Sequence, residues 1–290
     1  MDGWIILDKP KGMNSRKAGA ILSRIFGAKT FGHIGTLDPM ASGLLPIALG
    51  QATKMIPYWK ESQKKEYLFG VQFGFETDTL DITGRVVNEK NIVPLRAQIL
   101  SACAELMGEI SQTPPTYSAV HVGGRRAYEL ARAGKSFDIP PRRVAIDTLE
   151  LLEIVEKSWM FRIVCSPGTY VRAIARDLAD MCGTVATVDM IRRIRTNGLD
   201  IKNAVRLDFL KNLFNNSEGF EEYLKPMDFG LGDIPVLNLQ DKDVNLYKQG
   251  GFIKMAGQDQ SGLARVYAGG QFLGIGDLLG DLLKPKRTLN

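Results

Sequence analysis

The chain has 290 residues, 44% of them hydrophobic and 24% charged, with a formal net charge of +5. That balance is the balance of a globular protein, large enough for one big domain or a medium one with a small appendage. No apolar run approaches the ~18 residues of a membrane span, the N-terminus "MDGWIILDKPKG" lacks the pattern of a signal peptide, and three cysteines without C-x-x-C spacing make no disulfide or zinc framework. Cys103, Cys165 and Cys182 are read as reduced, buried thiols of a cytoplasmic protein.

In chain order, Trp4 to Leu7 reads as a short buried strand. Asn14 or Ser15 caps a helix running to about Phe26, because Ala18, Ile21, Leu22, Ile25 and Phe26 keep helical spacing and Gly27 stops it. Residues 28–43 have no period and read as a loop. Leu44 to Leu49 is a buried strand or turn, and Tyr67 to Phe75 a strand. A second helix is expected over Leu95 to Met107, with Leu100, Cys103, Ala104 and Met107 on its inner face. Pro114-Pro115 and Gly123-Gly124 then interrupt the pattern, which marks an excursion over about 112–146. This segment carries six basic residues against two acids, with Tyr117 and Tyr128 interleaved. Cations and flat faces suit a polyanion, and a surface hairpin with solvated charge fits the same composition.

Val144 to Val155 and Trp159 to Cys165 read as paired strands. Thr169 is expected to cap the next helix, with Val171, Ile174, Ala175 and Leu178 on one face and Arg172 and Arg176 together on another. Strands and helices mix without βαβ alternation, so the fold class is α+β. After about Met227 glycines and short apolar runs dominate, with a hairpin signal at Gly269-Gly270. The expected division is therefore a domain over 1–230 and a small β-rich domain over 231–290.

Two distant histidines, His33 and His121, offer no metal-ligand cluster. No G-x-S-x-G elbow, Walker A loop or G-x-G-x-x-G follows a strand, so neither a hydrolase triad nor a nucleotide cofactor is indicated. What remains is "GHIGTLDPMASGLLPIALGQATK" (32–54), in which one carboxylate, Asp38, stands between a glycine-containing loop and an apolar wall. A turn-capping aspartate before Pro39 is the competing reading.

That stretch resembles the active-site motif of the tRNA pseudouridine synthase B (TruB) family. "DKPKGMNS" (8–15) resembles its N-terminal motif, "KEYLFGVQFGFETDTLDITG" its tyrosine-bearing strand, "QTPPTYSAVHVGGRRAYELARAGK" its RNA-binding insertion and "CSPGTYVRAIARDLA" its arginine motif. Five motifs in order span about Asp8 to Arg195, and agreement on that scale is specific where a lone motif is not. Asn14, Ile34 and His121 depart from the family's usual residues, outside the catalytic set.

The resemblance implies the pseudouridine synthase fold, a mixed sheet flanked by helices and loops, with a PUA-like C-terminal domain. It implies conversion of the position-55 uridine in the T-loop of tRNA to pseudouridine, with no cofactor and no metal. Asp38 would be the catalytic carboxylate and Arg172 its ion-pair partner, offsetting the cost of setting a charge against Leu44, Leu45 and Ile47. Tyr67 would stack on the extracted uracil and could also handle the C5 proton, and Ile191 would form the opposite apolar wall. His33 would enter the T-loop and help displace the target nucleotide. Lys9, Lys54, Arg125, Arg126 and Arg142 would hold phosphates. The T-stem-loop is the expected partner, with no membrane, guide RNA or obligate protein partner. A non-catalytic tRNA-binding or folding factor, and a guide-RNA-dependent synthase sharing "GTLDP", are the alternatives. A chain ending near Gly232 is expected to fold and keep its turnover on an isolated hairpin.

Overall fold

The computed structural model describes residues 1–59, 64–255 and 261–289. Its organising element is a ten-stranded mixed sheet whose main path runs Val205–Arg206, Gly3–Lys9, Ser42–Leu49, Ala186–Thr196, Lys65–Phe73, Ser158–Cys165, Arg142–Val155, Gly108–Gln112. The central strands are buried, as in "GLLPIAL", where every residue from Gly43 to Leu49 is buried and only Ser42, at the strand start, is partly accessible. A strand covered on both faces reads as a continuous apolar run, without alternation. Helices Ser15–Ile25, Arg96–Glu105 and Val171–Met181 contribute Leu22, Ile99 and Ile174 to the main core, where they join Leu45, Phe69 and Phe161.

The first helix starts where the capping rule places it: the Asn14 side chain accepts from Lys17 N at 2.7 Å, and Gly27 leaves the helix at φ +58°. Three local expectations need correction. Residues 28–43 are not all loop, because Phe31–His33 pairs antiparallel with Ser42–Leu49; three residues are too short a run to show a period. The helix Arg96–Glu105 turns Ile99, Ala102 and Cys103 inward and leaves Leu100 and Met107 about half exposed. Apolar residues lie on several of its sides, so spacing alone could not choose between two overlapping i, i+3, i+4 sets. Thr169 does not cap the helix Val171–Met181. Its hydroxyl donates to Ser166 O, and Tyr170 takes the cap position, held by buried Gln112, which accepts from Tyr170 N at 2.8 Å and donates to Tyr170 O at 3.2 Å. Arg172 consequently faces inward, buried at 3% exposure, while Arg176 stays half-buried.

The excursion is a small hairpin, His121–Val122 with Arg125–Arg126, turned by Gly123 and Gly124 at positive φ and followed by the helix Ala127–Arg132. Near the C-terminus a separate five-stranded sheet runs Val236–Asn238, Gly262–Ala268, Gln271–Leu279, Leu282–Thr288, Ile253–Lys254, with its central hairpin turning at Gly269-Gly270. This sheet has a core of its own around Tyr247, Val266 and Leu283. A third cluster joins the two parts: Trp4, Ile34, Met55 and Trp59 pack with Leu231, Ile234, Phe272, Ile275 and Leu289. Ile34, the departure from the family pattern noted above, is 2% exposed in this shared core.

Candidate active site

Three segments deliver Asp38. The strand Gly3–Lys9 ends in the turn Pro10–Gly12, where Gly12 N donates to Pro39 O at 2.8 Å. Ser15, at the start of the first helix, donates from Oγ to Leu37 O at 3.0 Å and accepts from Leu37 N at 2.9 Å. The N-terminal motif is thus the clamp that fixes the loop on both sides of Asp38. Lys9 belongs to this clamp. Its ammonium, wholly buried, donates to Pro10 O at 2.9 Å and to Met13 O, so it is no phosphate contact, and that expectation is corrected. Burial lowers its pKa to about 8, with the Asp38 charge opposing that effect and the Arg193 charge reinforcing it.

Arg172 meets Asp38 from the first turn of its helix, Nη2 to Oδ2 at 2.8 Å. The same guanidinium donates to Thr79 O at 2.7 Å and Tyr117 O at 3.0 Å, and Asp81 Oδ2 lies 3.7 Å from Nη1. Asp81 is itself held by the Thr79 and Thr83 hydroxyls and by Thr83 N. The arginine is therefore immobilised, and Asp38, whose side chain is 33% exposed, presents a fixed carboxylate to open space. A charge-assisted contact of this kind orients as well as binds.

That space is a cavity of about 230 Å³. Asp38 and Arg172 lie at one side. Tyr67 and Ile191 also line it, 8% and 5% exposed, on adjacent antiparallel strands. Burial raises the pKa of the Tyr67 phenol, and the Arg193 guanidinium beside it opposes the rise. Arg142, Tyr170 and Lys65 complete the polar wall; Arg142 stacks 4.6 Å from the Tyr170 ring centroid and donates to Gly168 O. His33 sits on the rim, Nε2 3.0 Å from the hydroxyl of Thr36, itself a lining residue. Burial first, and then the Arg193 charge, lower its pKa, which favours the neutral ring.

Arg125 and Arg126 are exposed on the hairpin beside the cavity, where Arg126 donates to Ala119 O, another part of the lining. Lys54 is elsewhere. Its ammonium donates to Gln51 Oε1 at 3.2 Å and to Thr288 O at 3.1 Å, tying the segment Gly50–Tyr58 to the last strand. Lys54 is therefore not among the residues that line the cavity or stand on the basic hairpin.

Sequence reading passed over Asp81, Tyr170, Gln112 and Arg193. Alternation from Ile191 would have found Arg193, two residues on and on the same face. Nothing local in the sequence marks Gln112, whose role depends on a partner 58 residues away.

The chain matches the model described as TruB family pseudouridylate synthase (N terminal domain) over residues 23–171, and Pseudouridine synthase II TruB, C-terminal, over 235–289. It is 39% identical over 296 residues to a protein named tRNA pseudouridine synthase B from Bradyrhizobium diazoefficiens, covering 99% of this chain and 86% of that one. The protein of the same name from Ehrlichia chaffeensis is 38% identical over the full length of both. Among solved structures, a Cbf5-Nop10-Gar1 complex has a chain similar to this one with a TM-score of 0.68 at 23% identity, covering 99% of this chain and 84% of that one, a likeness of fold. The fold is that of the pseudouridine synthases. The chain belongs to the TruB family.

Proposed function

We propose that the protein isomerises uridine to pseudouridine at position 55 in the T-loop of tRNA. The observation that carries the reading is the Asp38 carboxylate, open to the cavity and locked at 2.8 Å by a buried arginine, with the Tyr67 ring in the same wall. The reaction breaks the N1–C1′ bond, turns the uracil and forms a C5–C1′ bond, while the C5 proton leaves and N1 gains one. Atoms balance, so no redox cofactor or nucleotide is consumed.

Asp38 is the group placed to act on the nucleotide, as nucleophile or as base toward the sugar. Arg172 holds it in place through their 2.8 Å ion pair. Tyr67 and Ile191 hold the loosened ring between an aromatic and an aliphatic face, which tolerates rotation. His33, neutral on the rim, helps displace the target nucleotide, whose unstacking costs a few kcal/mol. Arg125 and Arg126 hold phosphates outside the cavity, and Arg142 holds one at its mouth. In this reading the protein works in the cytoplasm, with neither guide RNA nor protein partner.

Incubating the purified protein with one unmodified tRNA transcript and mapping pseudouridine tests the whole reading. The expected product is a single modified T-loop position without added RNA. Product only after a guide RNA is added, or none at all, would reject it.

A further inference from the structure

The apolar wall that Ile191 gives the cavity depends on an irregularity in its strand. Val188 and Ile191 are both buried on the core face, opposite Val71 and Phe69 of Lys65–Phe73, although three positions separate them. Strict alternation from Val188 would point Ile191 outward and put Arg192 in the wall. One extra residue prevents this. Asp189 and Met190 together oppose Gly70, a β-bulge that shifts the register of everything beyond it.

The Asp189 carboxylate holds the bulge on the outer face of the sheet. Its Oδ2 accepts from Gln72 Nε2 at 2.9 Å and its Oδ1 from Ser158 Oγ at 3.0 Å, so one side chain joins three neighbouring strands. It fits because residue 70 is glycine: a Cβ there would collide with the Asp189 carboxylate and the Ser158 hydroxyl. The backbone is held too. The Asp189 carbonyl accepts from Lys11 Nζ at 3.3 Å, and Lys11 lies in the turn Pro10–Gly12 that fixes the Asp38 loop. Just before the bulge, Val188 N donates to Leu80 O and Val188 O accepts from Ile82 N, on either side of Asp81. Just after it, Arg192 and Arg193 pair with Ser42 and Gly43. The bulge therefore sits where the strand changes partner, from the segment beside Arg172 to the strand that follows Asp38.

We propose that Asp189 is a positioning residue for the isomerisation: it pins the bulge that turns Ile191 into the cavity wall and, with Lys11, keeps that wall in register with the Asp38 loop. This rests on the isomerase reading and specifies it. Asp189 touches no reacting atom. It acts through Ile191, whose aliphatic face must stay against the uracil while the ring turns. Without the carboxylate the bulge loosens, and the Ile191 side chain no longer keeps one direction.

Two measurements test it. The first needs no activity. In protein with isotope-labelled isoleucine methyl groups, the Ile191 signal is assigned by its loss in Ile191→Val, and its cross-peak to the Phe69 ring reports which way the side chain points. That cross-peak is expected to fall by about half or more in Asp189→Ala, where the bulge has lost its two side-chain bonds. It should persist in Asp189→Asn, because the amide oxygen accepts from Ser158 and the amide nitrogen donates to a turned Gln72. An undiminished cross-peak in Asp189→Ala would show that the carboxylate does not hold the bulge, and would overturn the proposal.

The second is single-turnover kinetics on unmodified tRNA. Asp189→Ala is expected to slow the reaction about ten-fold with RNA affinity within about three-fold, and Asp189→Asn to stay within about two-fold of the wild type. In an Ile191→Ala background, Asp189→Ala should slow it by less than about two-fold more. A loss of the same size in both backgrounds would show that Asp189 does not act through Ile191. An Asn protein as slow as the Ala protein would show that the charge matters and the hydrogen bonds do not. Either result overturns the proposal. Should the Ala protein melt early, Gln72→Ala, which removes one of the two donors, takes its place in both experiments. If the wild type makes no pseudouridine while the cross-peak weakens as expected, the hold on the bulge stands and the isomerase reading fails.

Discussion

At the residue scale the site depends on groups whose surroundings restrict what each can do. Asp38→Asn removes the carboxylate proposed to react and leaves the exposed arginines in place. Its pseudouridine formation is expected to vanish while tRNA affinity, read by filter binding, stays within a few-fold; turnover near the wild-type rate would remove Asp38 from the chemistry. Lys9 makes a pH-dependent prediction. Burial holds its ammonium down at about 8 against 10.5 in an unfolded chain. Between those values the unfolded state binds more protons, so Lys9's contribution to stability is lowest below pH 8 and rises from there toward pH 10.5. The melting temperature of the wild type, compared with Lys9→Met at pH 7 and pH 9.5, should move in the wild type's favour by roughly the equivalent of 1–2 kcal/mol. A constant difference across that range would mean that the ammonium does not titrate there.

At the element scale, the insertion and the site helix show how far a local pattern carries. The Gly123-Gly124 turn and the basic composition of 112–146 were readable from residue types, because turn chemistry and charge are local properties. Which arginines stand exposed and which line the cavity was not readable. Arg125 and Arg126 stand on the exposed hairpin, whereas Arg142 is stacked on Tyr170 in the cavity wall. If about five phosphates are contacted, log K for tRNA should fall against log salt with a slope of roughly −3 to −4. Reversing Arg125 and Arg126 to Glu should flatten that slope by about one unit and spare turnover at saturating tRNA. Arg142→Glu should lower turnover too. Salt-independent binding would contradict the electrostatic role of the hairpin. The site helix carries the converse lesson: Arg172 and Arg176 look equivalent in sequence, and only the clamp of Gln112 on Tyr170 sets the rotation that buries one of them.

At the scale of the whole molecule, the shared cluster changes what truncation should do. Trp4 donates from Nε1 to Met227 O at 2.9 Å, Gly230 packs against the Trp59 ring, and Phe272, Ile275 and Leu289 cover the other side of this cluster. Asp228 is paired with Arg265 at 2.7 Å, beyond the proposed boundary. A chain ending near Gly232 would leave that carboxylate without its partner and expose Trp59 and Ile34. Fully buried side chains of this size contribute about 1.5–3 kcal/mol each. The shortened chain is therefore expected to melt several degrees lower. Because Ile34 precedes the loop of Asp38, its turnover on an isolated T-arm hairpin should fall as well, contrary to the independence that sequence texture suggested. Equal melting temperatures and equal turnover for the two chains would restore that independence.

The sequence by itself determined the strands and helices of strong pattern and the family, and it singled out Asp38, Arg172 and Tyr67, which the structure brings to one cavity, because motif order, periodicity and turn residues are written along the chain. It left open which way a residue faces where two faces are equally apolar, as at Leu100. It also left open which cations are free. Lys9 and Lys54 look like surface lysines in a one-dimensional reading, and both are bound to backbone carbonyls. Only the tertiary structure decided those points, and it alone brought Arg193 behind Tyr67, 126 positions away in sequence. The physical reason is that burial and hydrogen-bond partnership depend on distances through space, fixed once the sheet has paired strands that are remote along the chain.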